Sequence, residues 1–237
     1  MKASILYLYY DFMNLYGDNG NVRIMEKRLK DQGFDVEVVR KTVTDTDISF
    51  EGFDFIYCGS GTESRRFEAV KHLRDFGSGL KAAIEAGTPV LFTGNAWGML
   101  GSSITSLEGE KTEGLGIFSF NVKEEIKQRF IGDAVEKADG FDSQFIGFIN
   151  KCDVIEGFDG FTFKIEKTIG QIPYSEDGVR KDNLLGISLI GPVLVKNPFF
   201  AEYLVRLIDE RHGVIYREEQ YRHEEQGYRM TLKALTE

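Results

Sequence analysis

The chain has 237 residues, 42% of them hydrophobic, which is enough to bury the core of one α/β domain. Its formal net charge of −9 argues against nucleic-acid binding, which depends on clustered Lys and Arg to neutralise phosphates. Two cysteines, no export signal and no apolar run of about 20 residues exclude a disulfide framework and a membrane span, so we expect a cytoplasmic protein.

The first half of the sequence alternates strand and helix patterns. Short apolar runs predict strands, and amphipathic stretches that end near glycine predict helices. The predicted strands are 5–10, 35–39, 53–58 and 89–93, and the predicted helices are 21–32 and 65–85, the second broken near 77–79. Repeated βαβ units with apolar strands predict a doubly wound, mainly parallel, flavodoxin-like sheet in an α/β fold.

The middle of the sequence changes character and predicts a β-rich insertion over about 102–175. Its antiparallel strands are predicted at 117–122, 129–135, 145–150 and 161–165. The parallel pattern returns at 184–190, and an amphipathic helix follows at 198–212. A charged tail at about 216–235 predicts a solvated helix, with partner docking as the alternative. No linker is visible, so we expect residues 1–237 to form a single domain.

One segment, TPVLFTGNAWGMLG at 88–101, predicts a buried strand that turns sharply into a helix. Many α/β enzymes hold a nucleophile at such a turn, but here the turn residue is Gly94. Ligands of doubly wound sheets bind at the carboxyl ends of the strands. We therefore expect the loops after Cys58, Thr93 and Ile190 to meet at one edge of the sheet.

Six segments, in order and at matching spacing, resemble the class I glutamine amidotransferases of the cobyric-acid-synthase type. Within that family the sequence is similar to the glutaminase-like subunit of lipid II isoglutaminyl synthases, which works beside a Mur-ligase-type subunit. The segments are MNLYGDNGNV (13–22), GSGTES (59–64), the turn ending in MLG (99–101), EGLGIFSF (113–120), GFINK (147–151) and LLGISLIGPVLVKNP (184–198).

The resemblance implies the class I amidotransferase fold and no cofactor or metal. It also implies a partner, either a Mur-ligase-like subunit or another ATP-dependent synthetase. The ligand it implies is glutamine or another small carboxylate. An automatic assignment by similarity would therefore describe a glutamine-hydrolysing enzyme.

The sequence departs from this family at both catalytic positions. Ungapped matching places the family's nucleophilic Cys on Gly94, its two glycines on Asn95 and Ala96, and its aromatic residue on Trp97. The family's catalytic His falls on Ile190. Amide hydrolysis needs a thiolate to attack the carboxamide and an imidazole to protonate the departing ammonia. Gly94 offers no attacking atom and Ile190 moves no proton, so we expect no glutaminase activity.

Glycine at the turn has a physical explanation. A residue with a Cβ in such a strained backbone costs about 1–3 kcal/mol, whereas glycine adopts it freely. Once the thiol is not needed, Gly94 keeps the turn without that strain.

Four further features are ligand-site candidates. The loop Gly59-Ser60-Gly61, with Asn95, could offer backbone N–H groups to an oxyanion or carboxylate, or be a plain turn. Arg65 and its neighbour Arg66 could pair with a carboxylate or phosphate, or be solvated. Asn150 remains from the family's pattern in GFINK, where Ile149 and Lys151 replace the residues on either side. Trp97 completes the pocket candidates.

Other residues offer weaker chemistry. Cys152, on a predicted loop, is the outside candidate for a displaced nucleophile, although no His accompanies it; Cys58 is expected to be a core thiol. The three histidines are expected on surfaces or helix ends. Asp18, with Asn19 and Asn21, lacks the glutamate that closes a calcium loop, so we expect it to cap the following helix.

Three functional hypotheses follow. The first is a glutaminase-inactive, amidotransferase-like subunit that binds a partner or a ligand. The second is an active amidotransferase, supplying ammonia for cell-wall or cobyric acid amidation through non-standard residues. The third is a small-ligand binding protein that reuses the fold, since fold alone does not fix function.

Overall fold

The computed structural model of the chain describes residues 1–125 and 129–237. Its helices lie close to their predicted positions, although 65–85 forms two helices that separate at residues 75–76, and the nucleophile-type turn leads into a 3₁₀ helix. The helices are α1 (Asn19–Asp31), α2 (Glu63–Arg74), α3 (Gly77–Glu85), the 3₁₀ helix (Gly94–Leu100), α4 (Val193–Lys196), α5 (Pro198–Arg211) and α6 (Arg222–Thr236). In this described part of the chain, no helix has the length and apolarity that crossing a membrane requires.

The strands of the described residues form three sheets. In chain order they are β1 (Lys2–Leu8), β2 (Asp35–Lys41), β3 (Phe55–Cys58), β4 (Val90–Thr93), β5 (Ser103–Thr105), β6 (Lys111–Glu113), β7 (Asn121–Glu124), β8 (Phe130–Ala138), β9 (Phe145–Lys151), β10 (Asp153–Glu156), β11 (Phe163–Gln171), β12 (Glu176–Asp177), β13 (Val179–Lys181) and β14 (Leu184–Ile187).

The central sheet has six strands in the order β13-β14-β4-β3-β1-β2. Its pairs are parallel except for the edge strand β13, which runs antiparallel to β14. After β1 the chain adds β2 on one side and β3 on the other, which creates a switch point at the carboxyl edge. The doubly wound, mainly parallel fold predicted from the sequence is therefore confirmed.

Both faces of the central sheet are buried, because side chains alternate along its apolar strands. In β1, Ile5 and Tyr7 point into the core beneath α1 and α5, whereas Leu6 and Leu8 point into the core beneath α2 and α3. Cys58 belongs to the second core and is fully buried, as expected of a core thiol. Helices on both faces explain why these strands carry continuous apolar sequence.

The insertion forms two separate four-stranded sheets rather than hairpins alone. One has the order β10-β7-β5-β6 and the other the order β12-β11-β8-β9. The predicted strands at 129–135, 145–150 and 161–165 correspond to β8, β9 and β11. The predicted strand at 117–122 is largely wrong, because strand pairing begins only at Asn121. Strands of two to four residues, such as β5, β6, β10 and β12, are too short to show an alternating pattern.

The second insertion sheet contacts the carboxyl edge of the central sheet through β9. Ile190, three residues beyond β14, forms an isolated antiparallel bridge with Phe148, and its N–H donates to the Phe148 carbonyl at 2.9 Å. The buried Asn197 side chain bonds both the N–H and the carbonyl of Ile146 at 2.8 Å. These contacts fix the insertion beside the loops that follow the parallel strands.

The C-terminal tail is less solvated than the charge pattern predicts. Its helix α6 begins at Arg222, not at 216, and Leu235 packs with Val135 and Ile146 of the second insertion sheet. Arg28, buried on α1, donates to Glu224 at 2.5 Å and to the Pro198 carbonyl at 2.9 Å. The periodicity of the sequence predicts a charged helix, but it does not predict which part of the protein packs against the apolar side of that helix.

A buried ion cluster joins α2 to the first insertion sheet. Arg66 has no exposed surface, and its guanidinium lies 2.5 Å from Glu124 of β7 and 2.5 Å from Asp153 of β10. Arg66 is therefore not the solvated residue that the sequence allowed, whereas Arg65 beside it is exposed.

We predict that Arg66→Leu lowers the free energy of unfolding by about 3–5 kcal/mol, because it leaves two buried carboxylates without their cation. Urea denaturation would measure the loss. Arg65→Leu is the matched control and should change stability by less than about 0.5 kcal/mol. Equal stability of the two variants would contradict the structural role of the cluster.

Candidate functional site

The turn after β4 has a left-handed backbone. Gly94 adopts φ of +59°, between the extended Thr93 and the first turn of the 3₁₀ helix. Only glycine adopts such a conformation without strain. The backbone of Gly94 therefore has the strained geometry by which the sequence analysis explained a glycine at this position.

Side chains from two other loops occupy the space beside Gly94. A Cβ added to Gly94 would lie 2.5 Å from the Cβ of Ser60 and 2.8 Å from Cγ2 of Ile190. The loops after β3, β4 and β14 thus meet at the carboxyl edge, and the positions of the family's Cys and His are neighbours. However, the volume that a nucleophilic side chain would fill is already taken by the buried Ser60 and Ile190.

Asn95 joins the loop after β4 to the loop after β3. Its Nδ2 donates to the Gly61 carbonyl at 2.8 Å, and its Oδ1 accepts from the Gly61 N–H at 3.1 Å. The Asn95 N–H in turn donates to Oγ of Ser60 at 3.4 Å. The backbone donors expected to serve an oxyanion are therefore engaged with side chains of the chain itself, and an incoming anion would have to displace them.

Trp97 belongs to the 3₁₀ helix after the turn, and the three atoms nearest an added Cβ at Gly94 belong to Ser60 and Ile190 instead. Its Nε1 donates to Oγ of Ser188 at 2.9 Å, and its ring packs edge-on against Phe120 at 5.1 Å between centroids. Trp97 thus anchors the 3₁₀ helix to the segment after β14, and its indole N–H is satisfied in the core.

Asn150 and Cys152 come together at a second cluster, built around Glu63. Arg129 lies 2.9 Å from the Glu63 carboxylate and donates to Oδ1 of Asn150 at 2.5 Å. The thiol of Cys152 donates to the same Glu63 carboxylate at 3.5 Å. Arg65 lies apart from this cluster, with its guanidinium 5.4 Å from the centre of the Phe12 ring.

Neither cysteine is an activated nucleophile. Burial, together with the carboxylates of Asp153 and Glu63, raises the pKa of the Cys152 thiol to about 12. Burial also raises the pKa of the Cys58 thiol well above its usual range. A reactive cysteine needs a lowered pKa and a cationic neighbour, and the environment of each thiol acts in the opposite direction.

The three histidines lie away from Gly94, so none of them could act as a base at the turn. His72 bonds the Tyr9 hydroxyl at 3.0 Å, and His212 bonds Asp54 at 2.7 Å, at the opposite edge of the sheet from Gly94. His223 is exposed on α6. None of these three histidines lies beside the turn at Gly94.

Asp18 has a different role from the one predicted. It is the residue before α1, but its side chain makes no capping hydrogen bond. Its buried carboxylate accepts from the hydroxyls of Tyr57 at 3.1 Å and Thr93 at 3.2 Å instead. Burial raises the pKa of Asp18. Asp18 thus joins the β1–α1 loop to the strands beneath the turn, and the helix-cap prediction is wrong.

Lys151 was noted in the sequence as a replacement within GFINK but was not among the predicted ligand-site residues. It takes the outer place in GFINK, is buried, and lies 3.1 Å from Oγ of Ser188 and 3.6 Å from the buried Asp177. Its ammonium also lies 5.5 Å from the centre of the Trp97 ring. A lysine at an inward-facing position of an otherwise apolar strand is unusual, and this pattern could have identified Lys151 from the sequence. Across residues 1–125 and 129–237, no three His, Cys, Asp or Glu side chains form a group that could hold a metal ion.

The fold is that of class I glutamine amidotransferases. A Thermotoga maritima structure described as PurLQS aligns with 90% of this chain and all of its own, at a TM-score of 0.57 and 12% identity. The glutaminase domain of Trypanosoma brucei CTPS aligns with 92% of this chain and 97% of its own, at a TM-score of 0.53 and 10% identity. At such identities the likeness concerns the fold alone.

Sequence comparison then places the chain more narrowly: it belongs to the CobB/CobQ-like glutamine amidotransferase domain family, which matches residues 4–197. It is 31% identical over 221 residues to the GatD subunit of the glutamine-hydrolysing lipid II isoglutaminyl synthase of Staphylococcus aureus, covering 90% of this chain and 87% of that one. It is 27% identical to the Streptococcus pneumoniae GatD subunit, covering 86% and 79%.

We predict that Gly94→Ala destabilises the protein more than Gly116→Ala. Both glycines have nearly the same φ, +59° and +58°, so both variants bear a left-handed strain of about 1–2 kcal/mol. Only Gly94→Ala also overpacks Ser60 and Ile190, at a further cost of about 1–3 kcal/mol, because no atom lies within 4 Å of an added Cβ at Gly116. Chemical denaturation would measure both losses, and equal losses would mean that the turn is not filled.

A second prediction concerns Cys152. With a pKa of about 12, its thiolate fraction at pH 8 should be about 10³-fold below that of a free cysteine, and the rate of alkylation by iodoacetamide should still be rising at pH 10. Mass spectrometry of the labelled native protein would follow the reaction, and the protein unfolded in urea is the control in which Cys152 reacts normally. A plateau of the native rate near pH 8 would contradict the burial of this thiol.

Proposed function

We propose that this chain is a glutaminase-inactive, amidotransferase-like subunit of a lipid II isoglutaminyl synthase-type amidation system. The observation that carries the proposal is the turn at Gly94, which has neither thiol nor imidazole and whose free volume is filled by Ser60 and Ile190. The loss of either catalytic group alone costs an enzyme several orders of magnitude in rate. This chain lacks both groups.

The oxyanion loop supports the same conclusion. In a working site the backbone donors must be free to bind the developing negative charge. Here the N–H groups of Gly61 and Asn95 are bonded to the Asn95 and Ser60 side chains. The site therefore departs from a hydrolase in its donors and its volume, beyond the exchange of two residues.

The names of its relatives support a role for the chain beside a partner. Both GatD proteins are named as subunits of a synthase, and the similarity covers 87% and 79% of their lengths. We infer that this chain occupies the corresponding place next to a Mur-ligase-type or other ATP-dependent synthetase subunit. In such a complex the ligase subunit would use free ammonia, and this chain would act as a scaffold or as a sensor of a small carboxylate ligand.

The deciding experiment is an assay of glutamate release from glutamine, with the chain purified from its own host together with any ligase-type partner. We expect no release above the buffer rate. A GatD-type protein with an intact catalytic pair serves as the positive control. A glutaminase rate that follows this chain and disappears in Cys152→Ala would overturn the proposal in favour of catalysis by non-standard residues.

A second experiment asks whether the amidation reaction takes its nitrogen from ammonium or from glutamine. Its result distinguishes a supporting subunit of a synthetase from an unrelated protein. We expect the co-purified complex to amidate its substrate with ammonium chloride and not with glutamine. A ligase subunit assayed without this chain should be less stable or less active with the same ammonium. If no synthetase co-purifies and no ligase activity depends on the chain, the place beside a Mur-ligase-type partner is wrong.

A further inference from the structure

Glu136 is a buried acid that has no part in the proposed function. It lies in β8, where successive side chains point to opposite faces of the sheet. Val135 packs with Leu235 of α6, whereas Ala134 and Ala138 belong to the main core. Glu136 therefore points into the core with these two alanines, and its side chain has no exposed surface. Glutamates are almost never fully buried unless they are paired.

The carboxyl group of Glu136 receives no hydrogen bond from the described residues. Both of its oxygen atoms are buried, and neither has a donor within hydrogen-bond distance. A carboxylate in a protein interior needs donors or a cation to remain ionised, and otherwise it takes up a proton and becomes neutral. The geometry at these two oxygens therefore favours the protonated acid.

A second buried acid competes with Glu136 for the one cation nearby. The charged groups that face Glu136 from neighbouring strands are Asp177 of β12 and Lys151 of β9. The Asp177 carboxylate accepts from the Ser188 N–H at 2.8 Å and from the Ser188 hydroxyl at 2.6 Å, and it lies 3.6 Å from the Lys151 ammonium. Asp177 thus has the donors and the cation that stabilise an ionised acid. Two acids face one base, and the proton belongs to the acid that lacks donors, which is Glu136.

The other titratable groups of this region do not neutralise a Glu136 carboxylate. Burial raises the pKa of Tyr174, so its phenol carries no charge near neutral pH. Arg66 is already held by two carboxylates of the first insertion sheet. Burial and the nearby Asp177 charge raise the pKa of Glu136 well above its usual range, although Lys151 acts in the opposite direction. The electrostatic surroundings therefore favour the same neutral state as the geometry does.

We propose that the folded domain holds a proton on Glu136 and that this residue is a pH-sensitive switch in the second insertion sheet. Loss of the proton leaves a bare carboxylate in the core, next to Asp177. In the unfolded chain the same carboxylate is hydrated, so ionisation favours unfolding. Lys151 and Asp177 of this sheet both bond Ser188, just after β14, so the switch lies where the insertion contacts the central sheet.

The direction of the pH dependence follows from the protons bound in each state. A glutamate in an unfolded chain has a pKa of about 4.3, so above about pH 5 Glu136 is ionised in the unfolded chain and protonated in the folded one. Its contribution to the unfolding constant then rises about tenfold for each pH unit, until Glu136 ionises in the folded state. Below about pH 4 the residue is protonated in both states and contributes no pH dependence.

The test is urea unfolding of the wild-type chain and of Glu136→Gln between about pH 5 and pH 7. The variant keeps the size of the side chain but cannot ionise. The unfolding constant of the wild type, divided by that of the variant, should rise at least about tenfold across this range. Glu37→Gln, at an exposed position of β2, is the matched control, and the corresponding ratio should change less than about twofold. A ratio for Glu136→Gln that stays constant with pH would overturn the proposal.

Infrared spectroscopy locates the proton without unfolding the protein. At about pH 7 the difference spectrum between the wild type and Glu136→Gln should contain the C=O band of a protonated carboxylic acid, because Glu136 is neutral in the folded chain. Carboxylate bands in its place would show an ionised Glu136 and overturn the proposal. Neither measurement involves glutamate release, so this proposal and the inactive-subunit proposal fail separately.

Discussion

A single left-handed turn at Gly94 organises the carboxyl edge of this protein. Because the backbone reverses there without a Cβ, the loop after β3 and the segment after β14 can approach within van der Waals distance of the strand end. Ser60 and Ile190 then fill the volume, and Asn95 joins the two loops through four hydrogen bonds to Ser60 and Gly61. Any larger residue at position 94 would push these elements apart. The close packing of this edge therefore requires a glycine, and a glycine has no side chain that could act as a nucleophile.

The interior below and beside this edge is unusually charged. Arg66 between Glu124 and Asp153, and Lys151 near Asp177, place ionised groups where apolar side chains would be expected. Glu136 is buried as well, without a hydrogen-bond partner among the described residues, and burial raises its pKa well above the usual range. Ion pairs of this kind add little net stability compared with apolar packing, but they specify one arrangement of the elements they join. Here the Arg66 pairs join α2 to the first insertion sheet, whereas Lys151 and Asp177 lie in the second sheet and both bond Ser188, just after β14.

Packing and internal hydrogen bonds, and not only the identity of two residues, shape the carboxyl edge around Gly94. Gly94 and Ile190, which the sequence resemblance matches to the family's Cys and His, lie next to each other. The N–H groups of Gly61 and Asn95 are bonded to side chains, and Ser60 and Ile190 fill the space beside the turn.

The sequence by itself determined the parallel sheet and its covering helices, because these follow from local apolar periodicity. It also indicated glycine's backbone role at position 94. Only the tertiary structure decided that Asp18 bonds Tyr57 and Thr93 instead of capping α1, that Arg66 is buried while Arg65 is exposed, and that Lys151 faces a cavity. Each of these depends on contacts between residues more than 20 positions apart, and periodicity carries no information about which distant side chain meets a charged group in the core.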